Sequence, residues 1–250
     1  MKIIAKSLPA LALLAALPMA PATAHHHDSV TEATPDPWTG FRGTGTEPFW
    51  TLTIGEDRLS FEHFSVFTAE ADRPEAQFSR GDTIFVAQSE NEGQRDFIVL
   101  VQDGICSDGM SDTPYPKSVR VFVDGLSFAG CGGDPQETLR GADWHVTELM
   151  GEAVPADAGI NFRFDGDGGM FGTGGCNRFT TNYVLDDELR IGPVAATRRA
   201  CINPEISRLE NQFFTALGSV IRLELSDEGV LTLFAEMEPV LTAERRGEGG

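Results

Sequence analysis

The sequence predicts an all-β protein built from two tandem, small barrel-like domains, the second of which carries one packed helix. Glycine (27 residues) and proline (14 residues) are frequent, and this composition favours many turns and short strands. Short segments rich in β-branched and aromatic residues recur along the chain, and several alternate between polar and apolar positions. A single segment shows instead the three- to four-residue apolar spacing that is typical of an amphipathic helix.

The first half of the chain contains five segments whose composition predicts strands. They cover residues 49–54, 59–64, 83–87, 97–101 and 119–123. Together these segments predict an N-terminal β domain over residues 38–133. On the second strand, His63 shares a face with Leu59 and Phe61, so we expect a partly buried structural histidine there rather than a catalytic one.

The second half predicts a β domain over residues 139–246, which follows a linker at 134–137. Alternating strand patterns, typical of half-exposed antiparallel strands, cover residues 160–164, 188–191, 221–225 and 230–234. One helix is predicted over about 204–217, because Asn203 is a suitable N-cap, Pro204 suits the first helical position and Gly218 ends the pattern. Its apolar face would carry Ile206, Leu209, Phe213 and Leu217.

The N-terminal 24 residues have the pattern of a secretory signal peptide. Lys2 and Lys6 precede an apolar run over residues 8–20, and a small-residue cleavage site of the A-x-A type ends at Ala24. We therefore expect export to the periplasm of a Gram-negative cell. No later segment is apolar enough to span a bilayer, so we expect no integral membrane segment after cleavage. Residues 25–37 are polar and contain two prolines, which predicts a disordered leader.

The charge balance is strongly acidic, with 19 Lys and Arg residues against 38 Asp and Glu residues and a net charge of −19. Nucleic-acid binding is excluded on this ground, because it requires a basic patch for the phosphates. Docking of the whole molecule on an anionic lipid surface is unfavourable for the same reason. An acidic barrel could instead capture a cationic protein or peptide, with long-range attraction speeding the encounter.

The chain contains four cysteines, Cys106, Cys131, Cys176 and Cys201, of which the first two and the last two are each 25 residues apart. An exported chain should oxidise them, and this spacing favours one disulfide in each half, Cys106–Cys131 and Cys176–Cys201. A zinc site is the alternative interpretation, but it requires closely spaced ligand pairs such as C-x-x-C, which the sequence does not contain.

Motifs in the second half occur in the order and spacing of a known family. They are Leu139-x-Gly141-x-x-Trp144, Gly174-Gly175-Cys176-Asn177-x-Phe179, Tyr183, Thr197-x-x-x-Cys201 and Glu210-x-x-Phe213 with Leu217. This half resembles the META (HslJ-like) domain family. The resemblance implies a small β-barrel-like fold with a helix at its side, and an association with envelope stress. Arg198-Arg199-Ala200 departs from the family pattern, which has smaller apolar residues before the second cysteine.

Motifs in the first half are equally distinctive. They are the segment 45–50 (GTEPFW), the segment 106–112 (CSDGMSD) with Tyr115-Pro116, and Gly130-Cys131. This half resembles an uncharacterised bacterial envelope family that often accompanies META domains, and the resemblance implies no activity.

Polar side chains in these motifs are the candidate binding residues, because polar loops on a rigid barrel are where binding usually occurs. In the first half they are Glu47, Trp50, Ser107, Asp108, Ser111, Asp112 and Tyr115. The alternative is that the Ser and Asp side chains satisfy the backbone of their own loop. Asn177 is the candidate in the second half, where the alternative is a tight turn beside the disulfide.

The histidines His25, His26 and His27 would form the new N-terminus after signal cleavage. A free amine with histidine at the third position can chelate Cu(II) or Ni(II), although a solvated spacer is the simpler interpretation. We expect no cofactor. The G-x-S-x-G, H-E-x-x-H and P-loop motifs are absent, so we expect no enzyme. The sequence predicts an exported envelope protein that binds an unidentified partner or small ligand under stress.

Overall fold

The computed structural model describes residues 36–64, 66–90, 94–111, 113–186 and 188–246. The predicted signal peptide, all but the last two residues of the predicted leader, the histidine tract and Asp112 lie outside these residues. Strands dominate the described part of the chain, which forms two antiparallel sheets and one α-helix. This architecture confirms the predicted all-β class with a single packed helix. None of the helices in the described ranges is long and apolar enough to cross a membrane.

The first sheet contains nine antiparallel strands in the order β4-β3-β2-β1-β9-β8-β7-β6-β5. They are β1 (Phe41–Thr46), β2 (Phe49–Ile54), β3 (Arg58–His63), β4 (Phe67–Asp72), β5 (Gln77–Ser79), β6 (Asp82–Gln88), β7 (Asp96–Cys106), β8 (Tyr115–Val123) and β9 (Leu126–Gly132). The sheet curls toward closure, because the amide of Glu90, just after β6, donates to the carbonyl of Glu70 in β4 at 2.8 Å.

The concave side of this sheet encloses an apolar core. Alternate residues of β2 point inward, and Trp50, Leu52 and Ile54 are each at most 1 % exposed. Aromatic rings fill the centre, where Phe61 packs against Phe128 with ring centroids 5.0 Å apart. Every second residue therefore faces the core, as expected for an antiparallel sheet that has one buried face and one exposed face.

The strands of the second sheet follow the order β15-β14-β13-β12-β10-β19-β18-β17, and two short strands, β11 and β16, pair with β10 and β14. The strands are β10 (Asp143–Leu149), β11 (Glu152–Ala153), β12 (Ile160–Phe164), β13 (Gly169–Gly174), β14 (Arg178–Leu185), β15 (Leu189–Ile191), β16 (Ala195–Ala196), β17 (Arg222–Leu225), β18 (Val230–Ala235) and β19 (Glu238–Arg246). The amide of Leu189 donates to the carbonyl of Ile221 at 3.1 Å, which nearly closes a barrel.

Helix α1 (Pro204–Leu217) fills the side of the second barrel, as the sequence predicts. The Asn203 side chain accepts from the amide of Glu205 at 2.9 Å, which caps the first turn. Phe213 is fully buried and contacts Phe179 with ring centroids 5.4 Å apart. The apolar stripe of the helix therefore packs on the inner face of the sheet.

The segment predicted as a linker lies between the two sheets and is attached on both sides. Pro135–Thr138 forms a 3-10 turn capped by Asp134, whose carboxylate accepts from the amide of Gln136 at 3.0 Å. On one side the amide of Gly133 donates to the carbonyl of Arg42 at 2.9 Å. On the other, the Arg245 guanidinium donates to the carbonyl of Thr138 at 2.8 Å. The cap at Asp134 and these two hydrogen bonds fix the position of this polar segment.

Candidate functional site

Three motifs that are far apart in the sequence meet in one concavity of about 470 Å³ on the first barrel. We call this concavity the motif groove. It is lined by Gly45, Thr46, Glu47, Cys106, Ser107, Asp108, Gly109, Met110, Ala129, Gly130 and Cys131. Its size falls in the range of small-molecule sites in proteins.

The order of the strands brings the first and third motifs together. β1 lies beside β9, with Thr44 paired to Cys131. On the other side of β9, Val119 pairs with Gly130, and since Val119 is buried in the core, Gly130 also faces the core. Side chains alternate along a strand, so Cys131 points to the outer face of the sheet.

The Cys106–Cys131 disulfide carries the second motif onto the same outer face. Cys106 ends β7, two strands away from β9 in the sheet. Its bond to Cys131 draws the loop that follows across the outer face of β9 and β1. The Thr46 hydroxyl holds that loop, because it donates to the carbonyl of Asp108 at 3.1 Å. Both predicted disulfides are confirmed, since Cys176 is bonded to Cys201 in the second barrel.

Glycines form the floor of the groove because the backbone approaches Trp50 too closely for a side chain. A Cβ atom on Gly45 would lie 2.1 Å from Trp50 Nε1, and one on Gly130 would lie 2.0 Å from the carbonyl oxygen of Thr44. Trp50 lies on the core side of these glycines and is 1 % exposed. Its indole N–H has no hydrogen-bond partner among the residues that the structure describes.

Most polar atoms of the 106–111 loop are occupied by the loop itself. Asp108 Oδ1 accepts from the amides of Met110 and Ser111 at 3.0 and 2.9 Å, and from the Ser111 hydroxyl at 3.2 Å. Ser107 Oγ accepts from the amide of Gly109 at 3.2 Å. These bonds agree with the alternative that the Ser and Asp side chains shape the loop. Glu47 is exposed, and no hydrogen bond or ion pair occupies its carboxylate within the described residues.

The predicted binding residues therefore divide between several places. Glu47, Ser107 and Asp108 line the motif groove, and Trp50 lies directly behind it. Ser111 and Tyr115 line a separate concavity between the two sheets, together with Leu185 and others. Sequence reasoning missed Met110, which is 67 % exposed at the rim of the groove. It also missed the glycines beneath the groove, although isolated glycines within strands indicate that another part of the protein approaches the backbone closely.

The chemistry of the groove is acidic. Its lining contains the carboxylates of Glu47 and Asp108 and no Lys, Arg or His side chain. An amine or guanidinium group would gain charge-assisted hydrogen bonds in this setting, whereas an anion would be repelled. Apolar contact is available from Met110, Ala129 and the disulfide.

Asn177, the candidate of the second barrel, is buried and fully bonded within the protein. Its backbone and side-chain amides donate to the two carboxylate oxygens of Glu210 at 2.6 and 2.7 Å. Its side-chain oxygen accepts from the amide of Arg199 at 2.7 Å and from the Thr197 hydroxyl at 2.9 Å. The polar atoms of Asn177 are thus used to fix the loop beside the second disulfide.

One group of potential metal ligands occurs in the described part of the chain, namely Cys176, Cys201 and Glu210. Both sulfurs are joined in a disulfide, and the carboxylate accepts from Asn177. The group therefore has no thiolate to offer a metal ion.

His63 lies half-buried between Phe67 and Phe128, at ring distances of 5.5 and 5.1 Å, as expected for a structural histidine.

Comparison with solved structures gives similarities of limited extent. A protein from Burkholderia xenovorans, solved by NMR, is 27 % identical over 46 % of this chain and 90 % of its own, with a TM-score of 0.38. A DUF4847 family protein from Bacteroides vulgatus is 17 % identical over 47 % of this chain and 100 % of its own, with a TM-score of 0.34. Comparison with curated proteins gives no match.

The family comparison gives a defined match in the second half of the chain. The META domain model matches residues 137–247, which include the second sheet, helix α1 and the Cys176–Cys201 disulfide. The match confirms the motif resemblance of this half, in which residues 137–247 form a META domain.

Proposed function

We propose that this chain is an exported, non-enzymatic envelope protein, and that its motif groove binds a small ligand that carries a cationic group. The observation that carries the proposal is the convergence of three separate motifs on one acidic groove. Fixed elements hold all three motifs. The first runs from the end of β1 through a turn into β2, the third lies in β9, and the second is attached by a disulfide. Preorganisation of this kind favours binding, because little chain entropy is lost when the ligand enters.

Export is supported by the two disulfides and by the signal-peptide pattern of the sequence. Structural disulfides form and persist in oxidising compartments such as the periplasm, and the four cysteines pair within their own halves. A role under stress is supported by the META domain of the second half. Peptide mapping of the protein from the periplasmic and cytosolic fractions of an expressing cell tests export, since cytosolic protein that retains its N-terminal 24 residues would contradict it.

Capture of a cationic protein or peptide is the second candidate function. The acidic lining of the groove, which lacks any basic side chain, favours it, as does the net charge of −19. Electrostatic steering would make association with such a partner fast and strongly dependent on salt. Here the groove would receive a Lys or Arg side chain of the partner instead of a free ligand.

Calorimetric titration of the purified protein with arginine methyl ester and, separately, with lysozyme tests both candidates. Binding of the small ester supports the leading proposal, whereas binding of lysozyme alone supports capture. In either case Glu47→Gln should weaken binding by about fivefold or more, the effect of losing one charge-assisted hydrogen bond. Glu236→Gln, in a turn of the second barrel, is the charge-matched control and should change affinity less than twofold.

If neither probe binds, or if the two variants have equal effects, the groove is not a cation site.

The proposal of a non-enzymatic protein has a separate test. Incubation with a broad panel of ester, amide, glycoside and phosphate substrates should give no turnover above a heat-denatured control. Turnover that is lost in the Glu47→Gln variant would assign the groove to catalysis instead.

A further inference from the structure

One face of the second barrel has a charge distribution opposite to that of the whole chain. The sequence contains no acidic residue between Asp167 and Asp186, and none between Glu188 and Glu205. These two segments supply β13, β14, β15, β16 and the loop that leads to helix α1. Because the chain as a whole has a net charge of −19, four neighbouring strands without acidic residues differ clearly from the rest of the sequence.

Three arginines lie close together on this face. Arg178 opens β14, and the loop after β16 runs beside it, since the amide of Arg178 donates to the Thr197 hydroxyl at 3.2 Å and the amide of Thr197 donates to the carbonyl of Arg178 at 3.0 Å. Arg198 and Arg199 follow directly. All three are exposed, and none forms an ion pair within the described ranges.

The backbone beneath these arginines is fixed at several points. The amide of Arg199 donates to Asn177 Oδ1 at 2.7 Å, and one guanidinium nitrogen of Arg199 donates to the carbonyl of Cys176 at 3.2 Å. The Cys176–Cys201 disulfide closes the loop on the far side. Ile202 follows the disulfide and is 100 % exposed. The arginines are therefore presented by a rigid loop, with an apolar side chain next to them.

We propose that Arg178, Arg198 and Arg199 form a binding site for phosphate-type oxyanions. A guanidinium group offers planar, paired donors that match two oxygens of a phosphate, and those of Arg178 and Arg198 form no hydrogen bond among the described side chains. Acidic residues elsewhere oppose the approach of an anion only weakly at physiological salt, where the Debye length is about 8 Å.

Phosphate oxyanions reach an envelope protein either free or on lipid headgroups, and Ile202 distinguishes the two sources. An exposed isoleucine gains nothing from free phosphate, but its insertion among lipid headgroups removes apolar surface from water. Ile202→Ser should therefore weaken binding to lipid vesicles and leave binding to inorganic phosphate unchanged.

The test uses the full chain, inorganic pyrophosphate as the free probe, and vesicles of phosphatidylcholine with phosphatidylglycerol as the lipid probe. Binding of at least one probe is expected at physiological salt, and it should weaken as salt rises above that level. The Arg178→Gln/Arg198→Gln variant should lose about tenfold or more in affinity. Arg80→Gln/Arg120→Gln, which removes two exposed arginines of the first barrel, is the charge-matched control and should lose less than twofold.

Two outcomes would overturn the site. One is failure of the wild-type chain to bind either probe at physiological salt, where the negative charge of the rest of the chain is screened. The other is an equal loss in the two double variants, since it would assign the binding to total charge. Far-ultraviolet circular dichroism of each variant verifies that the fold is retained. The Glu47→Gln variant of the motif groove should bind both probes like the wild type, which keeps this test separate from that of the proposed function.

Discussion

Glu210 of helix α1 accepts hydrogen bonds from both the backbone amide and the side-chain amide of Asn177, at 2.6 and 2.7 Å. The same carboxylate accepts from the amide of Cys176 at 3.2 Å. A buried acid on the helix thus satisfies three donors of the loop that carries the second disulfide. This contact joins the helix to the barrel by polar bonds as well as by its apolar stripe, and it positions the loop that presents the arginines.

Replacement of Glu210 should be strongly destabilising. Glu210→Ala removes the shared acceptor of three donors, of which the Asn177 side-chain amide keeps a bond to the carbonyl of Arg199 at 3.4 Å. We expect a loss of about 3–5 kcal/mol in the free energy of unfolding. Glu210→Gln keeps one accepting oxygen, and about half of that loss is expected. Urea unfolding without reductant measures both effects. A Glu210→Ala variant as stable as the wild type would show that water replaces the carboxylate at no cost.

The glycine floor of the motif groove gives a second prediction about packing. Gly130→Ala places a methyl group 2.0 Å from the carbonyl oxygen of Thr44, so β1 and β9 must separate, at a cost of about 1–3 kcal/mol. Gly166→Ala is the matched control, because a Cβ atom there meets nothing within 4 Å, and its change should stay within about 0.5 kcal/mol. Thermal unfolding measures both variants, and equal stabilities would contradict the close approach.

The two disulfides should have separable roles. Each closes a loop of 25 residues, which on the chain-entropy model contributes roughly 3–4 kcal/mol of stability. Replacing Cys106 and Cys131 by serine also frees the loop at the motif groove, so we expect lower stability together with weaker binding of arginine methyl ester. Replacing Cys176 and Cys201 should lower stability and leave that binding unchanged. Calorimetry and urea unfolding of the two double variants check this, and equal effects on binding would contradict it.

Sequence reasoning located the elements whose signals are local. Helix α1 was predicted correctly because its cap at Asn203 and its apolar period lie within one short segment. Four strands of the first sheet, β1, β4, β5 and β9, were not predicted. The core-facing positions of β1, β4 and β9 each combine one phenylalanine with two glycines or alanines, which weakens the local strand signal. Gly45 and Gly130 are small because Trp50 fills the space above them, and only the assembled sheet shows this.

The candidate site was predictable in part for the same reason. Glu47, Ser107 and Asp108 were identified from their motifs, and the structure places all three in the motif groove. Their meeting depends on β9 lying beside β1, a long-range pairing that no local pattern in the sequence encodes. The arginine face was not foreseen either, because Arg178 is brought beside Arg198 only by the pairing of β14 with β16.

Tyr183 gives a prediction about alkaline stability. Burial raises the pKa of Tyr183 above its ordinary value of 10.0, and its hydroxyl donates to the carbonyl of Asp165 at 3.1 Å. Below pH 10 the hydroxyl is protonated in the folded and the unfolded chain, so its full contribution to stability is present. Above pH 10 the unfolded chain loses this proton first, and stability should fall until the folded residue ionises as well.

Tyr183→Phe isolates that effect. The variant should lose about 0.5–1.5 kcal/mol at neutral pH through the missing hydrogen bond, and it should then show a smaller decrease in stability above pH 10 than the wild type. Because the chain contains two tyrosines, absorbance at 295 nm can follow both ionisations, and the variant identifies the one that belongs to Tyr183. Ionisation of Tyr183 at or below pH 10 would contradict the raised pKa, and with it the desolvated position of this side chain against the core of the second barrel.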